Sequence, residues 1–382
     1  MLLLNIIPES EREWENMNNE AIDRFREGIP IVNEKIYLDH AAMSPLHTDV
    51  VNRIHDFHLE RQKDGPDFPK WWNLIEETRS LVAEWLHVQP SEIAFLWNTS
   101  AGINLAAQGF LLSEGDEVII PDKEFPSNVY PWLALQQECG VIVKTVPFTD
   151  NRLTVDHIIA SVTSKTKVIS VSWVSATNGN MIDIQRLGDF CKENNILFVV
   201  DAIQGFCSRE LDLSQIHVDV LVSGFYKWAM GPDGVSFVYV NKHTMNKMRI
   251  PWVGWASMEA PFEYEKIDFH LSKDARRYET GNMNFSAIAG VHETFSVLLP
   301  WKQYINERVQ KLTQRLRSGL KTIPHVTLLS PEDSISGITL FQGGNLEHFT
   351  KHHVMVNYRS GIRVSPHFYN TEEEIDKFLN YM

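Results

Sequence analysis

At 382 residues, with 43% hydrophobic and 22% charged residues, the chain has an ordinary globular composition and enough length for two lobes. Its net charge of −14 argues against nucleic acid as the main partner, because phosphate backbones are held by basic faces. No apolar run is long enough to cross a bilayer, so no membrane partner is expected.

The N-terminal stretch Met1 to Pro8 is apolar but has no basic leader, so it does not read as a signal peptide. Cys139, Cys191 and Cys207 show no metal spacing and are odd in number, which predicts no metal site and a reduced, cytoplasmic setting. Residues 9–27 read as a polar helix, and 1–30 as an N-terminal helical segment. Tyr37 to Ala42 is a short strand entering a turn, with a helix starting at Pro45. Two prolines and a glycine between Lys63 and Pro69 break that helix, which resumes from Trp71 to Leu86. Strands and helices then alternate. Strands are predicted at Ile93–Leu96, Glu117–Ile120, Val141–Val146, Val168–Val174, Ile196–Val200, Val218–Val222 and Val235–Val240. Helices follow Thr99, run from Ser127 to Glu138, and run from Ile184 to Asn194. On the last of these, Cys191 shares the apolar face with Ile184 and Leu187, which predicts a core role. This order implies an α/β fold with a mainly parallel sheet flanked by helices, in a large domain spanning 31–255. Residues 256–382 read as a smaller α+β domain. It has a helix after Gly281, another through Ile305 to Leu320, strands near Ser336–Phe341 and Val354–Val356, and a final helix capped by Thr371 and Glu374.

Two buried strands end in chemistry. Ile196–Val200 stops at Asp201, followed by Gln204, and Val218–Val222 leads into Ser223, Tyr226 and Lys227. Strand ends on one edge of a parallel sheet are where such folds bind ligands. Asp201 is either one half of a structural salt bridge or a ligand carboxylate, and Lys227 either a solvated lysine or an amine of lowered pKa. Thr99 and Ser100, where a strand meets a helix N-terminus, are either caps or a phosphate seat. Taken together, Asp201, Gln204 and Lys227 with this helix end describe pyridoxal 5'-phosphate: a Schiff-base lysine, an aspartate on the pyridine nitrogen and a helix end for the phosphate. Phe125, Trp252, Trp255 and Tyr358 suggest an aromatic pocket, although aromatics are also common core material.

The motifs Tyr37-Leu38-Asp39-His40-Ala41-Ala42, Asn98-Thr99-Ser100-Ala101-Gly102, Glu124-Phe125-Pro126-Ser127-Asn128, Val200-Asp201-Ala202-Ile203-Gln204, Lys227-Trp228, Glu279-Thr280-Gly281-Asn282 and Arg363-Val364-Ser365 come in that order. In this the chain resembles the class V aminotransferase family of fold-type I pyridoxal-phosphate enzymes, which includes cysteine desulfurases and isopenicillin N epimerase. The resemblance runs from Tyr37 to Asp376. It implies that Lys227 is the catalytic Schiff-base lysine, that Asp201 pairs with the ring nitrogen and that Gln204 meets the ring oxygen. It places Thr99 and Ser100 on the phosphate, with a hydroxyl from Ser223 or Tyr226, and Phe125 stacked on the ring. Arg363 grips the substrate carboxylate, and His40 either stands near the substrate or is structural. Asn282 reaches the phosphate of a neighbouring subunit, which implies a homodimer with shared sites.

Departures from the family pattern narrow the chemistry. The desulfurases carry a nucleophilic cysteine in a long loop before the arginine. Here Arg359-Ser360-Gly361-Ile362-Arg363 closes that interval, and no cysteine follows Cys207. Ala176 stands where the family often has asparagine. The resemblance implies action on an amino acid through an external aldimine and an α-carbanion. Transamination is the favoured outcome, with C–S lysis or epimerisation as alternatives. A non-catalytic cofactor-binding role is disfavoured by the presence of Lys227, Asp201 and Arg363.

Overall fold

The computed structural model describes residues 20–263, 265 and 268–382. In chain order the elements are α1 (20–27), β1 (Ile36–Tyr37), α2 (Thr48–Asp64), α3 (Phe68–Leu86), β2 (Ile93–Leu96), α4 (Thr99–Gly109), β3 (Glu117–Pro121), α5 (Tyr130–Cys139), β4 (Ile142–Val146), α6 (Val155–Ile159), β5 (Thr166–Ser172), α7 (Ile184–Glu193), β6 (Leu197–Asp201), β7 (Val220–Gly224) and β8 (Ser236–Val240). They continue with α8 (Lys242–Met245), α9 (Phe285–Leu298), α10 (Lys302–Lys321), β9 (Thr327–Leu328), β10 (Thr339–Gln342), α11 (Leu346–Lys351), β11 (Val354–Met355), β12 (Asn357–Tyr358), β13 (Ile362–Val364) and α12 (Glu372–Asn380). Residues 9–19 of the expected N-terminal helix lie outside the described residues. The helix expected at Pro45 starts at Thr48, where the His47 ring caps Asp49 N–H. The one expected from Ser127 starts at Tyr130, because Pro126–Asn128 forms a separate 3-10 turn and Pro131 sits in the first turn of α5.

Seven strands form the main sheet in the order β2-β8-β7-β6-β5-β3-β4. β8 pairs antiparallel with both of its neighbours, and the other pairings are parallel. Every strand except β8 therefore ends on the same edge. Side chains alternate between the two faces and fill two cores. Ile119, Ile169, Phe198, Val200 and Leu221 enter one, and Val118, Val168, Val199, Val220 and Val222 the other. α4 lies close against β7: a Cβ on Gly102 would come within 2.3 Å of Val222 Cγ1. Glycine is what lets the N-terminus of α4 approach the strand that leads to Lys227.

The second sheet has the order β12-β13-β10-β9 and is antiparallel. Two elements cross the boundary expected at residue 255. α9 packs with α2 and α3, and β1 pairs with β11 far down the chain. Leu38 joins the core formed by α10, α12 and the second sheet. Among the described residues no helix is long and apolar enough to cross a membrane.

Candidate active site

Four segments converge on the common strand edge. α4 begins three residues after β2 ends, and Glu124 and Phe125 follow β3. Asp201 ends β6, and Lys227 lies three residues past β7. Lys227 is held by a tight turn in which Met230 N–H donates to Lys227 O at 2.8 Å and Gly231 N–H to Phe225 O at 2.9 Å. That turn puts the buried Met230 at φ +54°, a left-handed conformation costing about 1–3 kcal/mol for a non-glycine residue. The surroundings hold the backbone in this conformation beside the candidate nucleophile.

Lys227 is 7% exposed, and among the described residues no hydrogen bond or salt bridge reaches its Nζ. The amine lies 5.7 Å from the ring centroids of both Phe125 and Tyr226. Burial pushes it below an ordinary lysine; Asp201 pulls it back up, while Arg363 and Arg359 push it further down. Asp201 is 2% exposed and accepts Ile203 N–H at 3.0 Å. Burial pushes its carboxyl well up, the Ile203 bond holds it back, and Glu124 adds to the rise. An isolated acid in such a place calls for a cationic partner.

The N-terminus of α4 also has unused donors. Asn98 caps Ala101 N–H at 2.9 Å, and Ser100 Oγ lies 2.7 Å from Ser127 Oγ. The buried Thr99 hydroxyl has no partner. A helix start with an unmatched buried hydroxyl suits an anion. An amine without bonds, a buried acid and this helix end together fit pyridoxal phosphate: Thr99 and Ser100 for the phosphate, Asp201 for the ring nitrogen and Lys227 for the aldehyde.

The remaining expected residues divide. Phe125 is at the site and 40% exposed, with a face open. Tyr226 is half-buried, and burial pushes its hydroxyl up. Gln204 is at the site but engaged: Trp228 Nε1 donates to its oxygen at 2.9 Å, and its nitrogen donates to Ala41 O at 2.9 Å. One N–H of the amide remains. Asn282 is exposed, on the loop between Glu279 and α9. Trp252 packs by Trp97, and Trp255 by Trp72 and Phe262.

Two of the expected residues are engaged elsewhere. Of the two places the sequence left open for His40, its surroundings are those of a structural histidine. It is wholly buried, with Nδ1 2.8 Å from Ser365 O and Nε2 2.6 Å from the Tyr369 hydroxyl, so both nitrogens are occupied in joining the two ends of the chain. Ser223 offers no donor to a phosphate. It is wholly buried, and its hydroxyl donates to Gly224 O at 2.9 Å.

Arg363 is at the site and completely enclosed. Nη1 donates to Ala176 O at 2.7 Å, Nη2 lies 3.3 Å from Asp39 Oδ1, and Nε has no partner. Asp39 also accepts from Asn357 Nδ2 at 2.9 Å. Asp39 and Glu124 received no role from the sequence. Glu124 accepts from Ser172 N–H and Phe125 N–H, each at 2.7 Å, and from the Ser172 hydroxyl, which fixes the Phe125 loop to the end of β5. The available signal was weaker than for Asp201, which ends its own strand: Glu124 lies in the loop three residues past β3, and Asp39 two past β1.

Residues 36–353 match the family model described as aminotransferase class-V. The chain belongs to the class V aminotransferase family. It is an enzyme of the pyridoxal-phosphate-dependent kind, and pyridoxal 5'-phosphate is its cofactor. A probable cysteine desulfurase of Borreliella burgdorferi is 28% identical over 404 aligned residues, covering 95% of this chain and 96% of the relative. A probable cysteine desulfurase of Pyrococcus abyssi is 27% identical, covering 94% and 96%. In fold, the chain is similar to a cystine C–S lyase, C-DES, solved with cysteine persulfide. The TM-score is 0.87 at 20% identity, covering 92% of this chain and 98% of that one. The apo cysteine desulfurase of Thermococcus onnurineus gives a TM-score of 0.85 at 24% identity, covering 94% and 96%.

Proposed function

We propose that this member of the family is an aminotransferase acting on an α-amino acid, with Lys227 as the group that moves the α-proton. Pyridoxal phosphate, when bound, supplies a carbonyl that condenses with amines and a ring that draws electrons from the carbon beside them. The protein supplies position and proton control. Thr99 and Ser100 hold the phosphate, Phe125 covers one ring face, Gln204 offers its remaining N–H, and Asp201 keeps the ring nitrogen protonated. Arg363 takes the substrate carboxylate by exchanging it for Asp39, and its unpaired Nε–H gains a partner in the process.

The observation that carries this reading is the state of Lys227 Nζ: buried, without a hydrogen bond among the described residues, and pushed toward the neutral form. A neutral amine takes a proton from the α carbon and returns it nearby, as transamination requires. A persulfide route lacks its nucleophile. Cys191 and Cys207 are buried, with thiols pushed up by that burial, and Cys139 ends α5 on the surface. A C–S lyase without such a cysteine is the second reading, favoured by the names of the relatives. Asn282 is proposed to complete the site of a second copy in a homodimer, and three unpaired cysteines suit a cytoplasmic setting.

A panel of amino acids separates the readings. Transamination gives keto acid together with loss of the absorption band at about 400–430 nm. Lysis gives pyruvate or sulfide with the band retained, and epimerisation gives loss of chirality alone. Sulfide release together with pyruvate and ammonia, without aminated cofactor, would replace the first reading by the second.

A further inference from the structure

We infer that Arg359 is a second anion-binding residue of this site, so that the amino acid it takes carries a negative group on its side chain. The inference rests on the reading of Lys227 and Arg363 given above and goes beyond it by naming the substrate class.

The β12–β13 hairpin carries Arg359 to the site. Asn357 stands directly opposite Arg363 in the register. Both reach Asp39, Asn357 on Oδ2 at 2.9 Å and Arg363 on Oδ1 at 3.3 Å, so this face of the hairpin looks onto the site. Arg359 follows Asn357 by two positions, the spacing that returns a side chain to the same face of a strand. The turn is tight, with Arg359 N–H bonded to Gly361 O at 2.8 Å, so the arginine is carried at its tip. The Arg359 charge is felt at three groups of the site: it steadies the Asp39 carboxylate and pushes Lys227 and Arg363 down.

The two arginines differ in what they lack. Arg363 is enclosed, with an acid and a carbonyl at its fork. Arg359 is exposed, and its guanidinium has no hydrogen bond or ion pair among the described residues. In a chain of net charge −14, an open guanidinium without an acid, set beside a second guanidinium and a buried amine, concentrates positive potential at one place. A monocarboxylic amino acid satisfies Arg363 alone. A dicarboxylic or sulfonated amino acid satisfies both, and a planar fork binds either anion in bidentate fashion.

The test uses the holoenzyme and its Arg359→Gln and Arg359→Lys variants. The readouts are amination half-reaction rates with aspartate, glutamate, cysteate and alanine, and the shift of the cofactor band on adding succinate, glutarate or propionate. In the wild-type protein the acidic amino acids should exceed alanine in kcat/KM by about 10- to 100-fold, the worth of one charged hydrogen-bonded pair. Arg359→Gln should remove that preference, read as the ratio of kcat/KM for acidic substrates to that for alanine, and the band shift with dicarboxylates, while propionate still shifts the band; Arg359→Lys should restore part of both. Equal loss for alanine and the acidic substrates, or no preference in the wild type, overturns the inference while a normal band keeps the cofactor reading. Absence of the band in wild-type protein overturns both.

Discussion

Two pairs of buried opposite charges in this molecule are treated in opposite ways. Arg79 and Glu279 are each no more than 2% exposed, and all five guanidinium N–H groups of Arg79 are engaged. Nη1 donates to Glu279 Oε1 at 2.7 Å and to Ile93 O at 2.8 Å, Nη2 to Glu279 Oε2 and Glu76 Oε1, each at 3.1 Å, and Nε to Glu76 Oε2 at 3.2 Å. Glu279 also accepts Phe95 N–H at 2.8 Å. Asp201 and Lys227 are buried almost as deeply, yet they form no salt bridge, and the amine has no hydrogen bond among the described residues. A saturated pair is structural: it ties β2 to the segment that carries Asn282. An unsaturated pair is a cost to the fold that a ligand relieves, and this marks it as the place of chemistry.

The contrast breaks most sharply at Lys227. Lys227→Ala should lower turnover by about 10³-fold or more while leaving thermal unfolding nearly unchanged, because no bond is lost. Retained turnover in a cleanly folded variant would remove the lysine from the mechanism. Arg79→Ala should do the reverse. Leaving Glu279 buried and unpaired costs about 3–5 kcal/mol of stability by urea titration, while turnover per folded molecule changes far less. A loss below about 1 kcal/mol would mean that Glu279 finds water or protonates at little cost.

Asp201 yields a smaller effect with a definite sign. Burial raises its carboxyl above the unfolded value, so the folded, cofactor-free protein binds that proton more tightly than the unfolded chain. Its contribution to stability is present at low pH and is lost as pH rises from about 4, the ordinary carboxylate value, through the raised folded value. Asp201→Asn retains an acceptor for Ile203 N–H and removes that loss. The cofactor-free variant should match wild type near pH 4 and exceed it by at least about 1 kcal/mol at pH 8. Parallel stability curves would show that the carboxyl titrates normally. With cofactor bound, the same change should weaken binding, because the ring nitrogen loses its counter-charge.

What was legible in the sequence is what local pattern controls. Buried β-branched runs marked β3, β5, β6 and β7, and the residues at their ends fell on one edge because parallel strands share direction. Cys191 was placed correctly in the core by helical spacing alone. The partners of polar side chains were not legible, since they depend on closure over the whole chain. His40 is held by Ser365 and Tyr369, and Gln204 by Ala41 and Trp228, across separations that no motif encodes. Arg363 was identified as a fork for an anion, but the anion it holds here is Asp39. Ser223 was read from its place ahead of the lysine, and only the buried turn shows its hydroxyl directed to Gly224 O.

Phe125 gives the smallest effect and the finest test of the comparison. Its ring is 40% exposed and its centroid lies 5.7 Å from Lys227 Nζ, so it adds little to the core. Its value should appear only when a flat ring lies against it. Phe125→Leu keeps apolar bulk and removes the aromatic face, which is worth about 0.5–1.5 kcal/mol in a stacked pair. Cofactor affinity should therefore fall by about 2- to 10-fold in a titration of cofactor-free protein, with unfolding unchanged. Phe125→His keeps a face of similar shape and should bind close to wild type. If the histidine variant weakened as much as the leucine variant, packing volume and not ring stacking would be what the position supplies. The pair would then separate a side chain that fills the pocket from one that recognises the ring.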